Sequence, residues 1–207
     1  MYDGIDPNRF FKGANENILR NEYKIADDEW LIGNVAALAP HKDYFTFLNC
    51  AALVLKKIKA RFIIIGEGEL KEELVKYAHQ LGIADKVIFT GFRKDLGHVF
   101  HELDLFLFTS ETEGLGSSLL DAMVCKLPVV STNAGGIPEI VREGYNGLLA
   151  PVKDAQGLAD KVVTIYNDRN LREKLVANAS DFVMNFTKDK MARKTVEVYN
   201  EIVNNNR

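Results

Sequence analysis

Two apolar runs, each followed by a glycine-rich turn, constrain the fold of this chain more than any other feature. The run at residues 103–108 leads into an acidic loop, and the run at residues 128–131 leads into a turn with Gly135 and Gly136. Between them, residues 117–125 have the apolar spacing of a short amphipathic helix. We expect a strand–helix–strand unit whose two strand ends form a crevice of the kind that binds ligands in open α/β sheets.

The same alternation extends over most of the chain. Apolar and β-branched runs predict strands at residues 30–36, 61–65, 86–90, 103–108, 128–131 and 147–149. Helical periodicity predicts helices at residues 45–57, 69–81, 95–101, 117–125, 155–167, 170–182 and 188–203. Strands that alternate with helices over short connections predict an α/β fold, with a Rossmann-like parallel sheet and helices on both of its faces.

Composition excludes several classes of protein. With 207 residues, the chain has room for one large or two small domains, and its 47% hydrophobic and 27% charged content is ordinary for a globular protein. A net charge of −3 gives no reason to expect a nucleic-acid partner. Cys50 and Cys125 stand apart, and no apolar run approaches the length of a membrane span, so we expect reduced thiols in a cytoplasmic protein.

The acidic loop and the helix after it have features suited to a phosphate group. Gly114 and Gly116, on either side of Leu115, allow the main chain to approach a ligand closely. The amides of Ser117 and Ser118 follow at the predicted helix N-terminus, where unpaired N–H groups and the helix dipole favour phosphate. We therefore expect residues 114–118 to bind the phosphates of a nucleotide.

Two carboxylates flank this loop, with seven residues between them. Glu113 lies in the loop, and Asp121 lies on the helix that the loop opens. Asp121 shares a helix face with the two serines at the helix start, because it follows them by three and four residues. Carboxylates accept hydrogen bonds from hydroxyl pairs, so we expect Asp121 to bind a ribose and Glu113 to bind a sugar hydroxyl.

The run EGLGSSLLDAMVCKLPVVSTNAGGIPEIVREGYNGLL, which begins at Glu113, resembles the donor site of the group 1 (GT4) retaining glycosyltransferases of the GT-B type. That pattern has two glutamates separated by seven residues, a Pro-Val-Val strand and a Gly-Gly-x-x-Glu turn. The resemblance implies that Glu113 contacts the donor hexose, that Asp121 contacts the nucleotide ribose, and that Gly135 and Gly136 line the donor site. The second glutamate is replaced here by Asp121, which keeps the charge and shortens the side chain by one methylene.

The loop after the first predicted strand also bears on this resemblance. The family places an arginine there and, five residues later, a lysine that neutralises the donor diphosphate; the corresponding residues here are Ala37 and Lys42. One cation is thus replaced by alanine. Lys42 is an adequate point charge for phosphate without the bidentate geometry of arginine, and we expect it to act in catalysis together with Glu113.

Two further positions are candidate nucleotide neighbours. Gly66 follows a strand in IIIGEGEL, where the resemblance implies a turn that lines the nucleotide cleft; a tight turn that needs glycine for its own sake explains it equally well. Phe92 follows the strand end VIFTG, which resembles the segment that contacts the nucleobase. Its ring is expected either to flank the base or, as the safer interpretation, to pack in the protein.

The two ends of the chain suggest a domain boundary. Residues 1–12, which begin MYDGIDPNRF, resemble the linker between the two halves of GT-B enzymes. We therefore expect residues 13–207 to form the nucleotide-sugar-binding domain, with the N-terminal acceptor domain missing and the isolated chain inactive. The helix at 188–203 either crosses to that missing domain or covers the sheet of this one, and an uncovered apolar face favours the first interpretation.

The resemblance implies a transferase that moves a hexose from a nucleotide-diphosphate sugar to an acceptor hydroxyl, in the synthesis of cell-surface polysaccharide or glycoconjugate. The acceptor is expected to be a saccharide or a lipid-linked acceptor, and the full-length enzyme to associate peripherally with the inner face of the membrane. No Asp-x-Asp motif occurs, so no metal or other cofactor is expected. Two alternatives stay open: a sugar-nucleotide epimerase of GT-B shape, and a non-catalytic nucleotide-binding module.

Overall fold

A six-stranded parallel sheet forms the centre of the molecule. The computed structural model describes residues 4–10 and 17–205. Residues 1–3 and 11–12 of the expected linker, and with them its expected boundary at residue 12, therefore lie outside the described residues. The strands pair in the order β3-β2-β1-β4-β5-β6. They are β1 (Trp30–Val35), β2 (Ala60–Ile65), β3 (Val87–Gly91), β4 (Leu105–Phe108), β5 (Val129–Thr132) and β6 (Leu148–Ala150).

Helices cover both faces of the sheet. They are α1 (Ile18–Tyr23), α2 (Tyr44–Val54), α3 (Lys71–Gln80), α4 (Leu96–Glu102), α5 (Ser117–Val124), α6 (Ile137–Ile140), α7 (Ala155–Asn167), α8 (Arg169–Val183) and α9 (Lys188–Asn205). Two buried clusters lie on opposite faces: Phe62 and Ile64 of β2 belong to one, with α2, α3 and α7, and Ile63 and Ile65 to the other, with α1, α4 and α5. The predicted Rossmann-like α/β fold is confirmed, and every predicted strand and helix occurs within three residues of its expected bounds.

Two short helices were not predicted. Helix α1 lies between two residues in the left-handed conformation, Asn17 and Lys24. Its first amides are bonded from elsewhere in the chain: the buried carboxylate of Glu102, on α4, accepts from the N–H groups of Leu19 and Arg20 at 3.0–3.1 Å. The sequence around α1 gives little sign of this helix because its cap comes from more than eighty residues away. Helix α6 has only four residues and follows the second glycine turn.

The strands β1 and β4 diverge towards their carboxyl ends. Their paired register covers only Ile32 with Leu105 and Gly33 with Phe106. One residue further along, the buried side chain of Asn34 donates from Nδ2 to the carbonyl of Leu107 at 2.7 Å. The strand order reverses at this pair, so the loops that leave β1 and β4 separate and open the crevice in which α/β proteins of this order bind ligands.

The first described residues are attached to the start of the last helix. Ile5 forms a parallel bridge with Thr187; its N–H donates to the carbonyl of Phe186 at 2.8 Å, and its carbonyl accepts from Lys188 at 2.9 Å. Phe10 is buried and packs edge-to-face on Phe100 of α4. The segment at residues 4–10 therefore follows a defined path across the helices on one face of the sheet.

Helix α9 keeps much of its apolar surface exposed. Five of its large apolar side chains are 52–61% exposed: Val196, Val198, Tyr199, Ile202 and Val203. The interpretation in which this helix covers the sheet of its own domain is therefore wrong. The described helices include none that is long and apolar enough to cross a bilayer.

The buried cap on α1 gives a test of how the elements are held together. We expect Glu102→Ala to lower the free energy of unfolding by roughly 1–3 kcal/mol, because it leaves the amides of Leu19 and Arg20 without their acceptor. Urea denaturation followed by circular dichroism measures this. In a matched control, Glu173→Ala breaks an exposed ion pair with Arg169 and should change stability by less than about 0.5 kcal/mol. Equal effects of the two substitutions would contradict the capping role.

Candidate functional site

The structure brings Lys42 and Glu113 together at the carboxyl edge of the sheet. Lys42 ends the short 3-10 turn Pro40–Lys42 after β1, and Glu113 lies in the loop between β4 and α5. The lysine ammonium forms an ion pair with the glutamate Oε2, although 71 positions separate the two residues in the chain. The side chains are only 16% and 15% exposed, so water screens the attraction between their charges only weakly. These two predicted site residues therefore form one charged centre.

The surroundings of this pair hold it in position. The ammonium of Lys42 lies 5.2 Å from the centre of the Phe108 ring, a cation–π contact. The hydroxyl of Ser110 donates to the same Glu113 oxygen at 3.3 Å. An aromatic face on one side and a second donor on the other restrict both side chains, so the pair is preorganised before any ligand arrives.

The second glycine turn packs directly on the loop that carries Glu113. The N–H of Gly136 donates to the carbonyl of Glu113 at 2.9 Å. A Cβ atom on Gly135, whose φ is +51°, would lie 2.2 Å from that carbonyl oxygen, and one on Gly136 would lie 1.8 Å from the carbonyl oxygen of Gly114. Both positions therefore exclude any side chain, because main chain meets main chain there. The pair of glycines fixes the loop of Glu113.

Helix α5 begins beside this loop. Its N-cap is Gly116, and no side chain caps its first turn, which contains Ser117 and Ser118. Leu115 is partly buried against the core and anchors the loop. The first amides of a helix lack partners within the helix and attract anions. The helix start expected at Ser117 is confirmed, and its position leaves residues 114–118 suited to a phosphate group.

Asp121 lies on α5, one turn into the helix. Burial raises the pKa of this carboxyl to about 6, from an ordinary value of 3.8, and the positive charge of Arg9 acts in the opposite direction. Arg9 belongs to the segment at residues 4–10, which the sequence did not connect with this site. No direct contact joins Asp121 to Lys42 or Glu113 among the described hydrogen bonds and ion pairs, so the structure does not bring Asp121 into the charged centre.

An apolar cavity of about 290 Å³ lies at the ends of β1, β2 and β3. Gly66 and Phe92 both line it, together with Val35, Ala36, Ala37, Ile65, Glu67, Arg93 and Leu96. Phe92 is 67% exposed, so the expectation that its ring packs inside the protein is wrong. Gly66 has a φ of +146°, and a Cβ there would lie 2.0 Å from the carbonyl oxygen of Ala36. Gly66 thus makes the expected tight turn and lines a cavity, and its place beside a nucleotide stays a prediction.

Sequence reasoning missed the hydroxyl groups that connect the loops of the site. Thr109 donates to the carbonyl oxygens of Lys42 and Asp43 at 3.0 and 3.1 Å. Thr132, the last residue of β5, donates to the carbonyl of Ser110 at 2.6 Å. Both threonines are buried. The only sequence signal was a hydroxyl residue at the end of a buried strand, which by itself does not identify the carbonyl it contacts.

Two acidic residues of the glycine-rich loops, outside the charged centre, have structural partners. Glu111 pairs with Lys153, and Glu143 pairs with Lys161 and accepts from the N–H of Leu149. Within residues 4–10 and 17–205, no group of three histidine, cysteine, aspartate or glutamate side chains is arranged to hold a metal ion.

Solved structures share the fold over nearly the whole chain. Anabaena HepE in complex with UDP-glucose superposes with a TM-score of 0.86 at 27% identity, over 97% of this chain and 57% of HepE. The C-terminal domain of the group 1 glycosyl transferase LpcC from Francisella tularensis superposes with a TM-score of 0.77 at 30% identity, over 88% of this chain and 97% of that domain.

Curated relatives and a family model agree with this likeness. The chain is 27% identical to N-acetyl-alpha-D-glucosaminyl L-malate synthase of Bacillus anthracis, over 98% of this chain and 53% of that enzyme. It is 30% identical to a GDP-mannose-dependent phosphatidylinositol monomannoside mannosyltransferase of Mycobacterium tuberculosis, over 87% and 49%. The chain thus spans about half the length of these relatives. The model of the family described as Glycosyl transferases group 1 matches residues 15–182, well over half of the sequence. The chain belongs to the glycosyl transferases group 1 family.

Proposed function

We propose that this chain is the donor-binding half of a retaining glycosyltransferase, which transfers a hexose from a nucleotide-diphosphate sugar to an acceptor hydroxyl in polysaccharide or glycoconjugate synthesis. The observation that carries the proposal is the buried pair of Lys42 and Glu113. It lies beside the uncapped start of α5, with the apolar cavity at the neighbouring strand ends. Membership of the family and the nucleotide-sugar complex of HepE support it.

The charged centre suits the chemistry of this transfer. When the anomeric C–O bond breaks, the nucleoside diphosphate leaves with the electron pair, and negative charge grows on its terminal phosphate. Lys42 and the first amides of α5 would stabilise that charge, which in such reactions is usually the largest contribution of the protein. Glu113 would accept hydrogen bonds from the hexose hydroxyls and hold the sugar beside the lysine. Neither role requires a metal ion, and we propose that the reaction is metal-independent and uses no other cofactor.

The nucleoside would occupy the remaining parts of the crevice. The carboxyl of Asp121 is suited to the two ribose hydroxyls, and the cavity beside Gly66 and Phe92 is apolar enough to take a flat base. HepE is described with UDP-glucose, and the Mycobacterium tuberculosis relative is named as GDP-mannose-dependent. Titration with uracil, guanine and adenine nucleotides therefore identifies the donor class.

The activity of the full-length protein needs a second domain in this proposal. The relatives are about twice as long as the chain, and residues 1–12 would be the linker to an N-terminal acceptor domain, with residues 13–207 as the donor domain. The exposed apolar side chains of α9 would contact that domain. The acceptor would be a saccharide or a lipid-linked acceptor, reached from the cytoplasmic side of the membrane, and the isolated chain would bind donor without transferring it.

Replacement of the charged pair tests the donor site. We expect Lys42→Met to weaken the binding of a nucleoside diphosphate about tenfold or more, because a charge-assisted contact with phosphate is worth roughly 1.5–3 kcal/mol. Glu113→Gln should weaken the binding of the nucleotide sugar more than that of the nucleoside diphosphate. Isothermal titration of the isolated chain with UDP, GDP, ADP and their glucose or mannose derivatives, in buffer with chelator, measures both effects.

The control for this experiment is Lys153→Met, which removes an exposed lysine that pairs with Glu111 in the same region. It should leave every affinity unchanged. Absence of binding to all of the nucleotides, or equal losses in Lys42→Met and Lys153→Met, would contradict the proposed donor site. Tight binding without transfer by a full-length homologous protein would favour the non-catalytic module.

The carboxyl of Asp121 gives the protein a predictable pH dependence. Its pKa rises from 3.8 to about 6 on folding, so the folded chain binds the proton more tightly than the unfolded chain. Stability from this residue is therefore greatest below pH 4 and is lost as the pH rises through 6. Asp121→Asn should stabilise the chain at pH 7.5 by roughly 1–3 kcal/mol, and this gain should disappear by pH 4.

Urea denaturation of both proteins at several pH values measures this difference. The same substitution should weaken nucleotide binding at pH 7.5, because the amide accepts hydrogen bonds less strongly than a carboxylate. Stability that is equal in the two proteins at pH 7.5 would show that the carboxyl is well solvated. An unchanged nucleotide affinity would exclude Asp121 from the ribose site.

A further inference from the structure

The hydrogen bonds of Thr109 connect the two loops on which the charged centre depends. Thr109 follows β4 directly and is fully buried. Its hydroxyl lies 3.0 Å from the carbonyl oxygen of Lys42 and 3.1 Å from that of Asp43. A hydroxyl has one proton, so that proton is shared between these two successive carbonyls. Both belong to the loop between β1 and α2, residues 36–43, called the lysine loop below. The side chain thus holds the main chain of Lys42 at the end of the strand whose loop carries Glu113.

The lysine loop has the geometry of a sharp corner at this point. Asp43 is in the left-handed conformation, with φ +46° and ψ +57°, and its side chain caps α2 by accepting from the N–H of Thr46 at 3.1 Å. The corner turns the carbonyls of Lys42 and Asp43 towards Thr109. Without the hydroxyl, the carbonyl of Lys42 would face a buried methyl group, which costs free energy and favours movement of the loop towards water. The carbonyl of Asp43 would keep a second donor, the N–H of Phe47 at 3.3 Å.

A second hydrogen bond holds the lysine loop independently of the side chain of Thr109. The N–H of Glu111 donates to the carbonyl of His41 at 2.8 Å. This main-chain bond keeps the lysine loop attached whatever side chain stands at position 109. Loss of the Thr109 hydroxyl would therefore leave the fold in place and remove the restraint on the carbonyl of Lys42.

We propose that Thr109 is a positioning residue for Lys42. The hydroxyl of Thr109 holds the lysine loop so that the lysine ammonium stays against the Glu113 carboxylate, where it can contact a diphosphate. The part that concerns the diphosphate rests on the proposed function of the site. Thr109 does not touch the donor in this proposal. It acts through the main chain of the lysine loop, and its effect is confined to ligands that carry the phosphate groups which Lys42 contacts.

The first test needs no ligand. Lys42 is largely buried in its ion pair, whereas Lys153 has a 65% exposed side chain. An amine-reactive ester should therefore label Lys42 slowly and Lys153 fast, as measured by mass spectrometry of the digested protein. In Thr109→Val, which keeps the shape and removes the hydroxyl, labelling of Lys42 should rise about three- to tenfold relative to Lys153. Thr109→Ser, which keeps the hydroxyl, should label as the wild type does.

The second test uses the nucleotide that the wild type binds. Thr109→Val should weaken binding of the nucleoside diphosphate (UDP, GDP or ADP) about five- to tenfold and leave binding of the corresponding nucleoside unchanged. In the background of Lys42→Met, Thr109→Val should have no further effect on the diphosphate, because the two residues act as one unit. Ser131→Ala removes another buried hydroxyl at the same edge of the sheet, one that donates only to the adjacent carbonyl of Thr132, and should change neither labelling nor binding.

The outcomes separate this inference from the proposed function. Unchanged labelling of Lys42 in Thr109→Val overturns the positioning role, as does an equal loss of affinity for nucleoside and diphosphate. If the wild type binds none of the nucleotides, the proposed function fails, and the labelling rates still decide whether Thr109 positions Lys42. The urea midpoint of each variant, compared with that of Ser131→Ala, identifies any effect that comes from general loss of stability.

Discussion

Beyond Gly33 and Phe106, the paired register of β1 and β4 ends and buried polar side chains connect the two strands instead. Asn34 donates to the carbonyl of Leu107 and accepts from the hydroxyl of Tyr44, which is itself buried at the start of α2. Beyond the end of β4, Thr109 donates in the same way to the carbonyl of Lys42, in the loop that follows β1. Strands that separate would otherwise leave buried carbonyls without donors. These side chains allow the sheet to open a crevice and still satisfy its main chain.

The charged centre at the mouth of this crevice has an energetic cost that a structural role does not explain. Lys42 and Glu113 are both largely withdrawn from water, and such a pair contributes little net stability because desolvation offsets the attraction between the charges. The hydroxyl of Ser110 and the ring of Phe108 hold it in one arrangement. A pair that is costly and preorganised is typical of a ligand site, where an incoming anion competes for the lysine and the released carboxylate finds other donors on the ligand.

Apolar periodicity was enough to predict the sheet and the main helices, and glycines at strand ends marked the loop of Glu113. Lys42 was identified only through the family resemblance, and its ion pair with Glu113 was not predicted. Helix α1 was missed since the carboxylate of Glu102, distant in sequence, supplies its cap. Phe92 was misjudged because an aromatic residue after a strand is usually buried, whereas here it stands at the rim of a cavity. Thr109 and Arg9 escaped notice because their roles depend on which loops meet in space. Sequence pattern identifies the elements of this fold, and only their packing identifies the partners across the crevice.

The two departures from the family pattern affect different parts of the proposed donor site. Ala37 stands where the family pattern has a cation and lines the apolar cavity instead, so in the proposed site the electrostatic part of phosphate binding would fall to Lys42. Asp121 keeps its charge on a shorter side chain, and burial raises the pKa of this carboxyl to about 6. In the proposed site, a ribose that donates two hydrogen bonds there would favour the ionised form, so nucleotide binding near pH 6 would release a proton. The free energy that the fold loses by holding this acid away from water would thereby be recovered, in part, through the hydrogen bonds of the ribose.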